Sequence, residues 1–302
     1  MNLLKIIVTL SFNFLTFFAS GQKELKDYVQ TNAVRFSTID PDSTNYSDLE
    51  AIGAAIGNAR IVMLGDQDHG DAPGFSAKIR LVRYLHETKG FNVLAFENDF
   101  INTNYCWKLV NEGTLSFQKF METIAVNWKV CTAAPLFEGY LPANLKRSSP
   151  LQIAGFDSYT STPQTLTLLD SLCKYLQLPI TQTEQYLKDI YPLLQLWYNH
   201  AGDSVTMKEN FSYYQQIRTQ LLQKLPSDDF WIKAVDNLQT NTSEFSYKQG
   251  NWHSFQDRNI RDSQMAENLK WLSRVKYVER RLLCGLIIII YQNMQAVTLT
   301  LI

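Results

Sequence analysis

The sequence predicts an α/β fold, with a mostly parallel central sheet flanked by helices and a helical insertion. Three short apolar runs, with a carboxylate at the end of each, carry this prediction: residues 60–66, 92–97 and 151–157. Continuous apolar runs of this length are typical of strands that are buried on both faces, as in parallel sheets. A helical pattern over residues 75–87 separates the first two runs, which predicts a right-handed βαβ unit.

The helix over residues 75–87 has one apolar face, made by Ile79, Val82 and Leu85. We expect its basic residues elsewhere around the helix, away from that face: Lys78, Arg80 and Arg83. The pair Gly90-Phe91 follows and ends the helix, because glycine is common just beyond a helix C-terminus.

The rest of the chain is predicted to be irregular at first and helical afterwards. Residues 113–150 look irregular because they contain three prolines, namely Pro135, Pro142 and Pro150. A helical insertion follows over about residues 165–250, with breaks near Pro179 and Gly202. A further helix covers residues 258–274.

Length and composition bound the class of protein. The 302 residues are 45% hydrophobic and 19% charged, which is typical of a globular chain and argues against disorder or a disulfide scaffold. Lys and Arg number 28 and Asp and Glu 29, which gives a formal net charge of −1. This balance gives no reason to expect a nucleic-acid partner. Charge is missing from two long stretches, at residues 6–22 and after Arg281.

The first uncharged stretch belongs to residues 1–21, which have the pattern of a secretory signal peptide. Lys5 precedes an apolar core over residues 6–18, and three small residues follow it, Ala19-Ser20-Gly21. A membrane anchor is the alternative, but the apolar run is short for a span. The sequence therefore predicts export to the periplasm or the extracellular space, no membrane span after cleavage, and an α/β domain over residues 22–279.

Export would place the four cysteines in an oxidising compartment. They stand at positions 106, 131, 173 and 284. One disulfide, such as Cys106–Cys131, and buried free thiols are both open interpretations, because the spacing fits neither a disulfide framework nor a zinc site.

The carboxylates that end the three apolar runs, Asp66, Glu97 and Asp157, are candidate site residues. Open parallel sheets bind ligands beyond the carboxyl ends of their strands. His69 follows the first run on its loop, so it lies close to Asp66 and is expected near the other two acids. A histidine beside carboxylates has its charged form stabilised and its tautomer fixed, which suits a general base that takes a proton from water.

Two other interpretations of this loop stay open. Asp66, Asp68 and His69 together with Glu97 could hold a divalent metal ion, although no H-E-x-x-H motif or other close ligand spacing supports it. Alternatively, Asp68 and Asp71 make Asx turns and His69 caps a helix. Nucleophilic serine chemistry and nucleotide binding have no candidate, since the sequence contains no G-x-S-x-G, P-loop or G-x-G-x-x-G motif.

Four segments resemble the erythromycin esterase family in their order and spacing. They are L-G-D-Q-D-H-G at residues 64–70, K-I-R-L-V-R-Y-L at 78–85, G-F-N-V-L-A-F-E at 90–97 and I-R-D-S-Q-M-A-E-N-L-K-W-L at 260–272. The family has an L-G-E-x-x-H-G signature, a K/R-x-R-L helix, a G-F-x-x-x-x-x-E strand and an R-D-x-x-M-A-x-N-x-x-W segment. One departure is Asp66, where the family usually has Glu, so this carboxylate is withdrawn by about 1.5 Å.

The resemblance implies a hydrolase that cuts an ester or a macrolide lactone with an activated water, and that needs no metal or other cofactor. By this resemblance, His69 is the base, and Glu97 and the acid at position 66 orient it. Arg261 would supply positive charge for the developing oxyanion. Two further residues would belong to the substrate-binding part of the site: Lys78 and Asp157.

The second uncharged stretch lies within residues 280–302 and departs from the family. There the family continues with a strand that ends in a motif like W-A-H-N-x-H, whereas this chain has R-R-L-L-C-G-L-I-I-I-I-Y. A buried strand, a terminal membrane segment and a frameshifted tail are the three interpretations. The genetic code allows the third, because residues 282–291 can back-translate, one base earlier, to I-I-V-W-A-H-N-Y-H-I.

A frameshift near residues 279–281 would remove the family's second histidine cluster from the chain as written. The apolar, β-branched run over residues 283–291 could still fill the strand position, but it cannot supply imidazoles. Three functions are therefore carried forward: an active exported esterase, a catalytically inactive truncated remnant of that scaffold, and a metal-dependent hydrolase that uses Asp66, His69 and Glu97.

Overall fold

A parallel sheet of five strands forms the centre of the part of the chain that the structure describes. The computed structural model describes residues 26–65, 71–123, 133–159, 164–184, 186, 204–247, 255–285 and 297–299. The strands are β1 (Ile61–Leu64), β2 (Phe91–Asp99), β3 (Gln152–Asp157), β4 (Arg281–Gly285) and β5 (Val297–Leu299). They pair in the order β3-β2-β4-β1-β5, and every pair is parallel. The predicted α/β class with a mostly parallel sheet is confirmed.

Helices cover both faces of this sheet. In chain order they are α1 (Glu50–Ile56), α2 (Ala72–Lys89), α3 (Phe100–Asn111), α4 (Phe117–Glu122), α5 (Leu141–Asn144), α6 (Gln164–Tyr175), α7 (Ser204–Leu221), α8 (Phe230–Tyr247) and α9 (Phe255–Trp271). A short helix over residues 26–32 precedes them. The π-helical turns are Pro135–Tyr140 and Leu272–Lys276, and the 3-10 turns are Ser47–Leu49 and Pro179–Gln182.

The residues of one strand alternate between two hydrophobic cores, one on each face of the sheet. In β2, Val93 and Ala95 belong to the core that α6 to α9 cover, whereas Leu94 and Phe96 belong to the core that α2 covers. All four side chains are fully buried. Burial on both faces explains why the strands are continuous apolar runs and do not alternate with polar residues.

Helix α2 makes the predicted connection between β1 and β2 and is longer than the helical pattern indicated. It has Pro73 in its first turn and ends at Lys89, because Gly90 takes the left-handed conformation with a φ of 72°. The two strands that it connects are not neighbours, since β4 lies between them.

Two basic residues of α2, Arg80 and Lys78, are buried although the helical pattern sets them off the apolar face of the helix. Only 1% of Arg80 and 6% of Lys78 is exposed. Arg80 donates hydrogen bonds to both carboxylate oxygens of Asp48 and to the backbone carbonyls of Thr38 and Asn45. These bonds from Arg80 hold the pKa of Asp48 well below its usual range. The ion pair compensates the charge that burial would otherwise penalise.

Residues 113–150 contain more regular structure than the sequence predicts, namely α4, a π-helical turn and α5. Ser116 caps α4 by accepting a hydrogen bond from the backbone N–H of Lys119. Pro135 and Pro142 stand in the first turn of their helices, where a missing N–H leaves no bond unmade. These two prolines therefore mark helix starts.

Strand β4 incorporates the start of the second uncharged stretch into the centre of the sheet. Leu283 is fully buried there. Arg281 anchors the start of the strand by donating hydrogen bonds to the backbone carbonyls of Ala59 and Lys89. The strand interpretation of this stretch therefore holds as far as Gly285, and residues 286–296 lie outside the described residues.

The expected signal peptide and Cys131 also lie outside the described residues. Of the helices that the structure describes, none combines the length and the hydropathy needed to cross a bilayer. Cys106, Cys173 and Cys284 are free thiols. Burial raises the pKa of Cys106 to about 11 and those of the other two to about 12, so all three stay protonated and unreactive near neutral pH.

Candidate active site

Glu97 and Asp157 reach the same edge of the sheet from the neighbouring strands β2 and β3. The register between these strands shifts between Phe96 and Asp99, where β2 holds one residue more than β3. Such a β-bulge bends its strand and re-aims a side chain, and bulges are frequent next to active sites. Glu97 lies within this bulge.

Arg261 on α9 joins the two carboxylates. Its Nε donates to Oδ1 of Asp157 at 3.0 Å, and its Nη2 donates to Oδ2 of Asp157 at 2.8 Å. The same Nη2 also donates to Oε1 of Glu97. Two parallel bonds from one guanidinium to one carboxylate are stronger and more directional than a single ion pair. The arrangement therefore fixes both acids relative to α9.

The cluster is partly shielded from water. The side chain of Glu97 is 9% exposed and that of Asp157 11%, while Arg261 remains 29% exposed. Burial alone would lower the pKa of Arg261, but the hydrogen bonds and charges of Asp157 and Glu97 raise it well above its ordinary value. Arg261 therefore stays charged at every accessible pH, and it offsets one of the two negative charges.

Three buried asparagines bind the backbone of β3 around Asp157. Asn268 on α9 donates to the carbonyl of Phe156 at 3.0 Å, and Asn241 on α8 donates to that of Ser158 at 2.8 Å. Asn104 on α3 donates to the carbonyl of Gly155 at 2.8 Å. Asp157 is thus flanked by two carbonyls that each accept from a buried side-chain amide.

Gly155 lets the end of β2 approach β3 closely. A Cβ atom at this position would stand 2.4 Å from the backbone oxygen of Asp99 and 2.6 Å from that of Asn98. Asp99 itself caps α3, since its carboxylate accepts hydrogen bonds from the backbone N–H groups of Ile101 and Asn102. The carboxylate of Asp99, the third that the structure describes near this edge, therefore serves as the cap of α3.

The segment that resembles R-D-x-x-M-A-x-N-x-x-W is explained by the packing of α9. Arg261 and Asn268 stand two helical turns apart and share one face, which is turned to the end of β3. Met265 and Trp271 belong to the core beneath. The indole N–H of Trp271 donates to the backbone carbonyl of Asp228 at 2.7 Å. The motif thus supplies Arg261 to the site, and its other residues hold α9 in place.

Of the site residues predicted from the sequence, the structure brings Glu97, Asp157 and Arg261 together. Asp66 and His69 lie outside the described residues. Lys78 lies in the second turn of α2, where its ammonium group is 5.8 Å from the ring centroid of Phe75. Within the described ranges, no three His, Cys, Asp or Glu side chains are arranged to hold a metal ion.

Asn104, Asn241 and Asn268 are parts of the site that the motifs of the sequence do not predict. Asn268 stands inside the segment quoted for the family resemblance, so a signal for it existed. For Asn104 and Asn241 no motif or periodicity indicated a role, because their partners are backbone carbonyls far away in the chain.

A comparison with protein families decides which family this architecture represents. The model of the erythromycin esterase family matches residues 86–284. The protein belongs to the erythromycin esterase family. The matched range contains Glu97, Asp157 and Arg261, so the joined acids and their arginine lie in the part of the chain that the family model covers. The resemblance stated from the sequence motifs is therefore confirmed.

This erythromycin esterase family member is similar in sequence to a curated protein and in fold to a solved structure. The "Putative hydrolase YbfO" of Bacillus subtilis (strain 168) is 23% identical over 319 residues, which cover 94% of this chain and 68% of that protein. A crystal structure of a Bacillus cereus protein matches 87% of this chain with a TM-score of 0.67 and 18% identity, over 65% of its own length.

Two further crystal structures share the fold. One is titled a succinoglycan biosynthesis protein and matches 88% of this chain at 17% identity, with a TM-score of 0.61 and coverage of 66% of that chain. The other is a histidine-to-asparagine mutant of the erythromycin esterase EreC in its open conformation. It matches 82% of this chain and 65% of its own chain, at 18% identity and with a TM-score of 0.61. This chain spans about two thirds of the length of these proteins.

Proposed function

We propose that this protein hydrolyses a carboxylic ester or a lactone with a water molecule that His69 activates. The observation that carries the proposal is the joining of Glu97 and Asp157 by Arg261 at the carboxyl edge of the sheet. Parallel sheets of this kind bind their ligands at that edge. β1 ends at the same edge, and His69 follows it five residues later in the sequence.

In the proposed reaction, His69 takes a proton from water while the water oxygen bonds to the carbonyl carbon of the ester. The carbonyl π electrons move onto the oxygen and form a tetrahedral oxyanion. When the carbonyl re-forms, the bond to the alcohol oxygen breaks, and protonated His69 returns the proton to that oxygen. The products are a carboxylic acid and an alcohol, or one hydroxy acid from a lactone. Glu97 and Asp66 orient the imidazole and stabilise its charged form.

Arg261 serves this reaction chiefly by holding Glu97 in place. We had expected from the family resemblance that its charge would stabilise the oxyanion. Two carboxylates already compensate that charge, so an oxyanion would gain less from Arg261 than from an uncompensated guanidinium. A fixed Glu97, by contrast, gives the imidazole one orientation before substrate binds, which is a recognised source of rate enhancement.

The substrate class is proposed at the level of an ester or a lactone. The named activity of EreC, cleavage of erythromycin, belongs to that protein and makes macrolides the first natural compounds to test here. We also propose that the protein is exported, on the basis of residues 1–21, which sequencing of the mature N-terminus from the native host would test.

The test of this function is an ester assay with paired histidine variants. The chain should hydrolyse p-nitrophenyl acetate, and His69→Ala should lower kcat/KM by about 10²–10⁴, which is the usual contribution of a general base. His200→Ala is the control, because the sequence predicts His200 within the helical insertion and gives it no role in the site. Equal rates for the wild type and His69→Ala would remove His69 as the base.

A catalytically inactive remnant is the second candidate, and the position of β4 favours it. Gly285, the last residue of β4, pairs with Leu64 on one side and with Phe96 on the other, directly before Glu97. The end of β4 therefore lies beside the residue that precedes Glu97, and the sequence continues from there with residues outside the described ranges. In this sequence they are Leu286 and four isoleucines, which can neither transfer a proton nor stabilise an oxyanion.

We propose that a one-base shift near residues 279–281 replaced a histidine-bearing segment at this position. Resequencing the gene and assaying a chain with the restored frame beside the present one would distinguish the two candidates. Activity only in the restored chain supports the inactive remnant, whereas equal activity in both supports the first candidate. If neither chain cleaves an ester, the hydrolase assignment fails for this protein.

A further inference from the structure

We propose that Asn241 and Asn268 are positioning residues that fix Asp157, and through it Arg261 and Glu97. The purpose of this device rests on the proposed hydrolase function, but its existence can be tested without any substrate. We call these two side chains, with the carbonyls of Phe156 and Ser158 that they bind, the asparagine clamp.

The asparagine clamp acts on the backbone on both sides of Asp157. Asn268 binds the carbonyl immediately before Asp157 and Asn241 the carbonyl immediately after it. Both asparagines are fully buried. The two bonds come from different helices, α9 and α8, so they restrain the backbone of Asp157 from two directions. The direction of the Asp157 side chain follows from the backbone that is held in this way.

Hydrogen bonds to neighbouring side chains hold the amide of Asn268 in one orientation. It exchanges hydrogen bonds with Asn237 in both directions, at 2.9 and 2.7 Å, so that each amide donates once and accepts once. Gln264 donates to the same oxygen of Asn268 at 3.0 Å. This leaves Asn268 with its nitrogen directed at Phe156. A network whose members are satisfied is rigid and specifies one arrangement.

Helix α9 holds Asp157 through two of its side chains. Asn268 binds its backbone through the carbonyl of Phe156, and Arg261 binds its carboxylate with two hydrogen bonds. The fork of a guanidinium matches a carboxylate only over a narrow range of positions. A displaced β3 end would therefore weaken both bonds to Asp157 and release Nη2 from its position beside Glu97.

The experiment measures how well Arg261 is protected in variants that lack a clamp bond. Asn241→Leu and Asn268→Leu keep the approximate volume and remove the amide, and Asn241→Ser is a milder second variant. Each protein is treated with phenylglyoxal, which modifies accessible guanidinium groups, and the rate at each arginine is followed by mass spectrometry. Arg80, which is buried and bound to Asp48 and to none of the clamp residues, reports any general loss of structure.

Thr242→Val is the matched control. Thr242 follows Asn241 on α8 and is buried, but its hydroxyl donates to the carbonyl of Leu238 within the same helix. This variant therefore loses a buried hydrogen bond of α8 without touching β3.

We expect Arg261 to react with phenylglyoxal about fivefold faster or more in the clamp variants, because the loss of one hydrogen bond raises the population of the accessible state by about that factor. The rate at Arg80 should be unchanged. Thr242→Val should leave the rate at Arg261 as it is. An unchanged rate at Arg261 in folded clamp variants would overturn the proposal. So would equal acceleration of Arg261 and Arg80 in all three clamp variants, because the asparagines would then only stabilise the fold. Loss of ester turnover plays no part in these outcomes, so a failure of the hydrolase proposal would be seen separately.

Discussion

Arg261 binds Asp157 through two hydrogen bonds, from Nε and from Nη2, and the two residues stand on different layers of the fold. Asp157 ends a strand of the sheet, whereas Arg261 comes from a helix more than a hundred residues later. The pair connects the helical layer to the edge where the sheet would bind a ligand. Its contact with Glu97 extends the connection to the next strand.

Replacement of Arg261 by methionine should destabilise the protein by about 2 kcal/mol. The change leaves two neighbouring carboxylates without their shared cation. The loss of unfolding free energy is smaller than for a fully buried ion pair because Arg261 is partly exposed. Urea unfolding of Arg261→Met beside Arg274→Met, which alters an exposed arginine shortly after the same helix, measures this difference. If both variants unfold at the urea midpoint of the wild type, Arg261 does not hold the cluster.

Replacement of Gly155 by alanine should be among the most damaging small changes in the sheet, with a loss of about 2–4 kcal/mol. The added methyl would press against the backbone oxygens of Asp99 and Asn98, and backbone cannot move aside as a flexible side chain can. Gly139→Ala is the control, because a Cβ there meets no atom within 4 Å. Thermal unfolding of the two variants decides the matter, and similar melting temperatures would contradict the close approach.

Lys276 should add to the stability of the protein as the pH rises above about 7. Burial, with a smaller contribution from the charge of Lys108, lowers the pKa of Lys276 from 10.5 to about 7. Between these two values the unfolded chain binds more protons than the folded one, so the free energy of unfolding increases with pH. Below about pH 7 both states are protonated and this increase is absent.

Unfolding by urea at a series of pH values would measure this effect. Lys276→Met should flatten the rise between about pH 7 and 10.5, and the exposed Lys224→Met should retain it. The same rise in Lys276→Met and in the wild type would mean that Lys276 titrates as it does in the unfolded chain.

A second pH dependence should come from His86. Its Nε2 lies 3.1 Å from the backbone oxygen of Ser149, which can only accept, so Nε2 carries the proton and Nδ1 accepts from the hydroxyl of Tyr140 at 2.7 Å. Burial, the largest cause, lowers the pKa of His86 below 6.5. The neutral form is therefore favoured in the folded state, and stability present above about pH 6.5 is lost as the pH falls below that value.

His86→Gln removes this titration and should reduce the acid-side slope of the unfolding free energy. The measurement is the difference between the variant and the wild type from about pH 7 down to pH 5, since other groups contribute equally to both. Parallel slopes would exclude His86 as a source of acid sensitivity.

The parts of the fold that were predictable are those encoded by neighbouring residues. The strands around Phe96 and Phe156 and the helix that Gly90 ends were visible as local patterns, because burial on both faces and a left-handed C-terminus leave a short-range signature. Glu97 and Asp157 could be placed at one edge for the same reason, since parallel strands share a direction.

The parts that were not predictable depend on contacts between distant residues. Helical periodicity sets Arg80 off the apolar face of α2 but does not predict its burial, because its partner Asp48 lies in an earlier segment that the periodicity does not include. The bulge at Glu97 is set by the pairing of β2 against β3. Asn241 reaches the carbonyl of Ser158 across 83 positions, and one asparagine in a helix gives no sign of such a bond.

The central position of β4 has a consequence for the order in which the protein can acquire its structure during synthesis. Ile61 pairs with Leu282, and the N–H of Leu282 donates to the carbonyl of Arg60. While the ribosome is still making the insertion helices, β1 and β2 have already emerged but lack the strand that joins them. The centre of the sheet can close only after the insertion helices have been made and β4 has emerged, so the edges of β1 and β2 that pair with β4 stay unpaired until then and are open to aggregation.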